Sequence, residues 1–216
     1  MAPEYGLGRL PAVDARDRLH LMAAVIQPAA PRPAYRYFRS GPVLYQGNTP
    51  SCVGHAWAGF LMAAPIMSKG VDPFDIYYGA QDNDEWEGNA YEGSSVRGGA
   101  KYLQAQGRLS RYVWAWDAET IADFILSGQG TVVMGTNWTY PMFDPDTKGF
   151  IHPTGPIAGG HAWLLTGYNR TFGLFRMQNS WGKSWGQKGR AWITGEDLQT
   201  LIRWDGEAAA AVEIKQ

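Results

Sequence analysis

The chain has 216 residues, 45% of them hydrophobic, 13% aromatic and 18% charged, which allows a sizeable buried core and excludes a disordered or fibrous polypeptide. A formal net charge of -1, with no Lys/Arg run, gives no electrostatic basis for binding nucleic acid, and no uninterrupted run of 18 apolar residues suggests a membrane span. One cysteine excludes an internal disulfide, and the N-terminus lacks a basic region followed by an apolar one, so a cytoplasmic or otherwise reducing compartment is expected.

In chain order, residues 1–45 carry "PAAPRPAY" and further prolines with little periodicity, and read as an extended segment laid over the rest of the fold. Thr49 and Pro50 then predict a helix start, with Thr49 as N-cap and Pro50 at the first helical position. Val53, Ala56, Trp57, Phe60, Leu61 and Ala64 follow at helical spacing, to an end near Pro65. "FDIYYGAQ", "SVRGGAKYLQAQG" and "DAETIADFILSGQG" predict three more helices, the last two closed by glycine. The acidic stretch "DNDEWEGN" lacks the ligand spacing of a calcium loop and reads as a solvated loop. After about residue 130, "TVVMGTNW", "HAWLLTGY", "LFRMQNS", "RAWIT" and "AAAAVEIK" predict strands. The expected organisation is an N-terminal segment (1–45), a mainly helical part (46–129) and a mainly β part (130–216), an α+β pattern.

The single cysteine raises the question of chemistry. Cys52 falls in the first turn of a helix, where unpaired backbone N–H groups and the helix dipole favour a thiolate, although a lone cysteine on an apolar helix also serves as plain core. A nucleophilic thiol needs a base, and the histidines are His20, His55, His152 and His161. His20 and His152 lie in irregular, proline-flanked stretches. His55 is near Cys52 on the same helix but has no recognisable orienting partner. "HAWLLTGY" and "LFRMQNS", joined by "NRTFG", read as an antiparallel hairpin; centring it on Arg170 sets His161 opposite Asn179. An amide there can accept from one imidazole nitrogen and hold the other toward a nucleophile.

"QGNTPSC", "GGHAWLLTGY" and "QNSWGKSWGQKGRAWI" resemble the three signature blocks of papain-like cysteine peptidases, in the family's order Cys, His, Asn, over about residues 40–195. "LPAVDARD" resembles the start of bacterial members without a long inhibitory prodomain. The resemblance implies a two-lobe fold: a helical lobe with the nucleophile helix, an antiparallel β-barrel-like lobe, and the active site in the cleft between them. It implies hydrolysis of peptide bonds through a cysteine acyl-enzyme, with peptide or protein substrates and no metal or organic cofactor. By the same match Cys52 is the nucleophile, His161 the base and acid, and Asn179 the residue that orients His161. Gln46 is the side-chain oxyanion donor, and Trp181 shields the Asn179–His161 bond. "EGSSVRGG", with Ser94 and Ser95, is expected along the cleft to bond an extended peptide. Gly159 and Gly160 are expected to form the opposite wall, with room for a sizeable apolar residue next to the cleaved position.

The sequence departs from the family pattern at Val53, where an aromatic residue is usual, and at Thr49, where secreted members carry a disulfide cysteine. Cys52 and His161 are 109 residues apart and Cys52 and Asn179 are 127 apart, against a family guide of roughly 130–150, which reads as trimmed loops. Transpeptidation, amidase action or isopeptide removal would use the same machinery, and a silent peptide-binding relative would keep only the cleft. The first 45 residues are a candidate block of that cleft.

Overall fold

The apolar spacing that begins at Val53 produces α1 (Cys52–Leu61), all ten residues of which are buried. The computed structural model describes residues 5–12, 14–26 and 32–214. α1 is sandwiched between two short helices and a sheet. α2 (Pro73–Gln81) is capped by the Asp72 side chain, which accepts from the Phe74 N–H, and α3 (Val96–Ala105) by Ser95, which accepts from the Gly98 N–H. Glycines permit the close approach: a Cβ on Gly54 would sit 2.2 Å from the Pro73 carbonyl oxygen, and one on Gly99 2.4 Å from the Trp57 ring.

The sheet has seven antiparallel strands: β1 (Tyr35–Tyr37), β2 (Leu109–Ala115), β3 (Val132–Thr139), β4 (Ile157–Asn169), β5 (Leu174–Gln178), β6 (Arg190–Thr194) and β7 (Glu207–Glu213). Their order is β2-β7-β3-β4-β5-β6 with β1 also paired to β4, so the sheet is open, with β2 and β6 at its ends. Two helices complete the α+β fold. α4 (Ala118–Ser127) is capped by Asp117 and closed by Gly128 at φ 87°, and α5 (Gly195–Arg203) is capped by Thr194.

Period-2 alternation divides the core between the two faces of the sheet. On β4, Ala162 and Leu164 join α1, α2 and α3 in one cluster, while Trp163 and Leu165 join α4 and α5 in the other. β3 does the same with Val133 on the α1 side and Val132 and Met134 on the other. The candidate site lies where the α1 layer meets the end of this sheet.

Three local expectations change. The helix starts at Cys52 rather than Pro50, with Ser51 as a cap that makes no side-chain bond. Thr49 instead donates its hydroxyl to the Gln46 carbonyl (2.6 Å), closing the turn ahead of the helix. The helix also stops at Leu61, short of Pro65. In the β4–β5 hairpin Asn169 pairs with Leu174 and Leu164 with Gln178, with a bulge between Leu165 and Gly167, so the turn centres beyond Arg170 and Asn179 falls outside the ladder. His161 is paired instead with Thr136 of β3. Finally, β2 and α5 were not legible as elements: β2 lies within the stretch read as helical, and α5 within the β-rich one.

Candidate active site

Cys52 opens α1 with its side chain fully buried. The amide N–H groups of Val53 and of Ala162, the residue after His161, face its sulfur and favour the ionised form. His161 is equally buried on β4. Its Nε2 lies 2.8 Å from Asn179 Oδ1, while Nδ1 has no hydrogen-bond partner among the described residues.

The direction of that bond follows from its neighbours. Asn179 Oδ1 also accepts from the Ser180 backbone N–H at 2.8 Å, and a backbone N–H can only donate. The amide oxygen is therefore the acceptor for both. His161 carries its proton on Nε2 and presents the lone pair of Nδ1, the tautomer a base requires. The register misses the facing pair expected from the hairpin, yet the side chains meet: Asn179 directly follows β5, where its N–H donates to the Gly189 carbonyl (3.0 Å) and extends the pairing with the β6 side.

Aromatic rings enclose the pair. Trp181 stacks on His161 with centroids 4.5 Å apart and planes 23° apart. Trp138 meets His161 edge-on at 4.9 Å and Trp181 at 5.2 Å, and Trp185 and Phe143 pack around Trp181. Such contacts contribute about 0.5–1.5 kcal/mol each beyond burial and keep water from the Asn179–His161 bond. Trp138, Trp185 and Phe143 were missed by sequence reasoning; the abundance of tryptophan, 10 in 216 residues, was the available signal.

Gln46, six residues before Cys52 in the chain, is fixed at both ends of its amide. Oε1 accepts from Ser180 Oγ at 2.6 Å, and Nε2 donates to the carbonyls of Thr49 (2.9 Å) and Gly6 (3.1 Å). Gly6 belongs to the N-terminal segment, which runs through the site. Tyr5 stacks on Trp181 at 4.8 Å, and Trp181 Nε1 donates to the Gly6 carbonyl at 3.2 Å. The Gly8 and Arg9 N–H groups both donate to the Gly160 carbonyl, at 2.9 and 3.0 Å. Ser94 donates its N–H to the Gly8 carbonyl and accepts from the Leu10 N–H, each at 2.9 Å. Gly159 and Gly160 leave the space this needs: a Cβ would lie 2.8 Å from Leu7 Cδ1 and 2.0 Å from the Arg9 carbonyl oxygen, respectively. Ser94, Gly159, Gly160 and Trp181 thus all lie against the N-terminal segment. Ser95 does not bond the segment; its hydroxyl caps α3 and donates to Glu85 at 2.8 Å.

Cys52 and His161 are both fully buried. Burial pushes the Cys52 thiol up to about 12 despite the facing amides, and burial lowers the His161 imidazole to about 4 despite its bond to Asn179. The closed site therefore holds a neutral thiol and a neutral imidazole rather than the thiolate expected from the helix start alone.

Of the other histidines, His55 is close enough for its charge to lower the His161 imidazole further, but its own bonds run elsewhere. His55 turns its Nδ1 to the Ser51 carbonyl (2.9 Å) and its ring to the edge of Phe74. His152 is exposed between Asp146 and Asp197, and exposed His20 is near Tyr112. Asp84 and Glu85 of the acidic loop bind the hydroxyls of Ser94 and Ser95, both at 2.8 Å, and so tie that loop to the cleft wall.

Among solved structures, the chain is similar to xylellain, a cysteine protease from Xylella fastidiosa, at 18% identity and a TM-score of 0.75, covering 99% of this chain and 98% of that one. It is similar to the digestive procathepsin L 3 of Tenebrio molitor larval midgut at 16% identity and a TM-score of 0.66, over 98% of this chain and 77% of that one. The bromelain protease from Ananas comosus follows at 12% identity and a TM-score of 0.62, over 82% and 95%. The chain has the papain-like cysteine protease fold. No protein-family model matches the sequence, and no curated protein does. Within this fold Cys52 opens α1, His161 lies on β4, and Gly8–Leu10 is bonded to Ser94 and Gly160.

Proposed function

We propose that the protein is a thiol peptidase that hydrolyses peptide bonds through an acyl-enzyme on Cys52. The observation that carries this reading is the Nε2–Asn179 bond of His161, which leaves Nδ1 buried and unbonded among the described residues, one position along β4 from Ala162, whose N–H faces the Cys52 sulfur. When the cleft opens, Nδ1 takes the thiol proton and Sγ attacks the substrate carbonyl. The developing oxyanion is met by Gln46 Nε2, which already donates to a carbonyl in the closed form, and by the Cys52 backbone N–H. His161 then protonates the leaving amine and activates water to release the acyl group. Asn179 holds the ring, and Trp181 covers it.

In the same reading the N-terminal segment is the block. Its Gly6 carbonyl occupies Gln46, its Gly8 and Arg9 amides occupy Gly160, and Ser94 is engaged on both sides. The bridge between Arg9 and Ser94 is parallel.

Peptide-library profiling of the wild type beside Cys52→Ala, with and without an added amine acceptor, tests the reading. Hydrolysed products from the wild type and none from the variant are expected. Amine-capped products would replace hydrolysis by transpeptidation, and full biological function in Cys52→Ala would favour a silent peptide-binding protein.

A further inference from the structure

Thr49 holds Gln46 at two points. Gln46 Nε2 donates to the Thr49 carbonyl at 2.9 Å, and the Gln46 main-chain carbonyl accepts from the Thr49 hydroxyl at 2.6 Å. The Gln46 N–H donates to the Ser180 carbonyl at 2.8 Å, so the main chain is fixed on both sides. A side-chain amide nitrogen carries two hydrogens. In Gln46 one goes to Thr49 and the other to the Gly6 carbonyl at 3.1 Å. Once the N-terminal segment leaves, the second hydrogen is the one open to an oxyanion, and the bonds to Thr49 and Ser180 set where it points.

Behind Thr49 runs a chain of hydroxyls that the peptidase reading leaves unused. Thr49 Oγ1 lies 2.6 Å from Ser51 Oγ, which lies 3.1 Å from His55 Nδ1. Counting hydrogens fixes its direction. A carbonyl only accepts, so the single hydrogen of the Thr49 hydroxyl is directed at Gln46. The Ser51 hydroxyl then donates to Thr49, and His55 Nδ1 donates to Ser51. The Ser51 carbonyl, 2.9 Å from the same Nδ1, independently requires a proton there. The result is one directed chain from His55 through Ser51 and Thr49 to the Gln46 carbonyl, with His55, Ser51 and Gln46 buried. Each bond polarises the next, which strengthens the last one.

We propose that Thr49 is a positioning residue for the oxyanion donor: its hydroxyl, oriented by Ser51, holds the turn that aims the second Gln46 Nε2 hydrogen at the reacting carbonyl. The inference rests on the peptidase reading above. The loop from Gln46 to Cys52 carries the Cys52 N–H as well, so one turn sets both donors. Thr49 is a position at which this chain departs from the family pattern, and the role belongs to this sequence. His55 stands at the far end, where its removal leaves the Thr49–Gln46 bond in place. Thr49→Val deletes the hydroxyl while keeping the shape of the side chain, which separates positioning from packing.

The test compares three full-length chains. The parent carries Arg9→Ala, which removes the buried ion pair of the N-terminal segment between Arg9 Nε and Glu207 Oε1 (2.9 Å), and the others add Thr49→Val or Thr49→Ser. Two rates are read on each: steady-state hydrolysis of one library peptide that the parent cleaves, and alkylation of Cys52 by iodoacetamide. Hydrolysis passes through an oxyanion. Alkylation forms the S–C bond as iodide leaves and generates none. Thr49→Val is expected to lower kcat about tenfold, a part of the roughly 10²–10³ that loss of a whole oxyanion donor costs, with KM little changed and the alkylation rate unaltered. Thr49→Ser, which keeps the hydroxyl, is expected to restore most of kcat. An unchanged kcat in Thr49→Val, a fall of kcat and alkylation together, or no recovery in Thr49→Ser overturns the inference and leaves the peptidase reading intact. The same substitutions in the wild-type chain decide the matter should the Arg9→Ala parent not fold. No hydrolysis of any library peptide by the parent, together with alkylation no faster than that of free cysteine, overturns the peptidase reading and this inference with it.

Discussion

Ser180 links the two halves of the site: its N–H holds Asn179 Oδ1 at 2.8 Å and its hydroxyl holds Gln46 Oε1 at 2.6 Å. Gln46→Ala is expected to reduce turnover on the order of 10²–10³, as loss of one oxyanion donor does elsewhere. Ser180→Ala leaves Gln46 Oε1 buried without that donor and should lower kcat in the same direction but by less, with KM little changed, which steady-state kinetics will read. For the base, His161→Ala is expected to abolish turnover. His55→Ala should retain it and instead lower stability, since His55 bonds only the Ser51 residue and packs on Phe74. Loss of turnover in His55→Ala alone, with His161→Ala active, would reverse that assignment. The motifs that hold Cys52, His161, Asn179 and Gln46 were legible because each is short and gives a chemical reason for its residue types, and the His161–Asn179 bond among them is present in the fold. Ser180 lies inside one of those motifs, but its double bonding depends on a contact between residues 134 positions apart, which no local pattern encodes.

The elements were legible where capping and periodicity agree, as in α2, α3 and α4, whose Asp72, Ser95 and Asp117 caps all bond as such residues do. They were not legible where tertiary pairing decides. β2 is held by β7, nearly a hundred residues further on, through pairs such as Trp114 with Ala209. The β4–β5 register was displaced by the turn itself, with Asn169 already paired to Leu174 beside it, and the bulge between Leu165 and Gly167 then shifts the pairing by one residue. The start of α1 moved because the Thr49 hydroxyl closes the preceding turn instead of capping a helix. At this scale Gly54 has a sharp consequence. A methyl there meets backbone of α2 at 2.2 and 2.7 Å, so Gly54→Ala should destabilise by at least about 1–3 kcal/mol despite better helix propensity. Urea unfolding measures this, and an unchanged midpoint would refute the close α1–α2 contact. Glu207, at the start of β7, adds a pH dependence. Burial raises its carboxyl to about 7, against the pull of Arg9 and Arg97, with Asp17 also facing it. Because the folded value lies above the unfolded 4.5, Glu207 contributes stability that is present below pH 4.5 and lost as pH rises through about 7, which urea midpoints across that range will read.

At the scale of the molecule, one extended segment couples fold to chemistry. Tyr5–Leu10 is held against the body of the fold by strand-like bonds, an aromatic stack and the Arg9 anchor, and in the proposed reading it keeps water from Cys52 and His161. NMR titration of the His161 ring should show half-protonation near pH 4 in the wild type, and higher in Arg9→Ala, where the anchor is gone. The linkage has a definite sign. A histidine near 6.5 when unfolded and near 4 when folded contributes stability that is present above pH 6.5 and lost as pH falls toward 4. The Cys52 thiol, raised from 9.0 to about 12, contributes stability that is present below pH 9 and lost as pH rises toward 12. The sequence suggested an extended block from its prolines, but the anchor joins Arg9 to Glu207 across nearly the whole chain and is visible only in the fold. The most direct measurement of the central claim is the rate of iodoacetamide alkylation at pH 6, with the adduct mapped by mass spectrometry, in wild type and Arg9→Ala. Cys52 should react faster than free cysteine in Arg9→Ala and more slowly in wild type; labelling of the opened chain no faster than free cysteine would contradict an activated catalytic thiol held behind its own N-terminal segment.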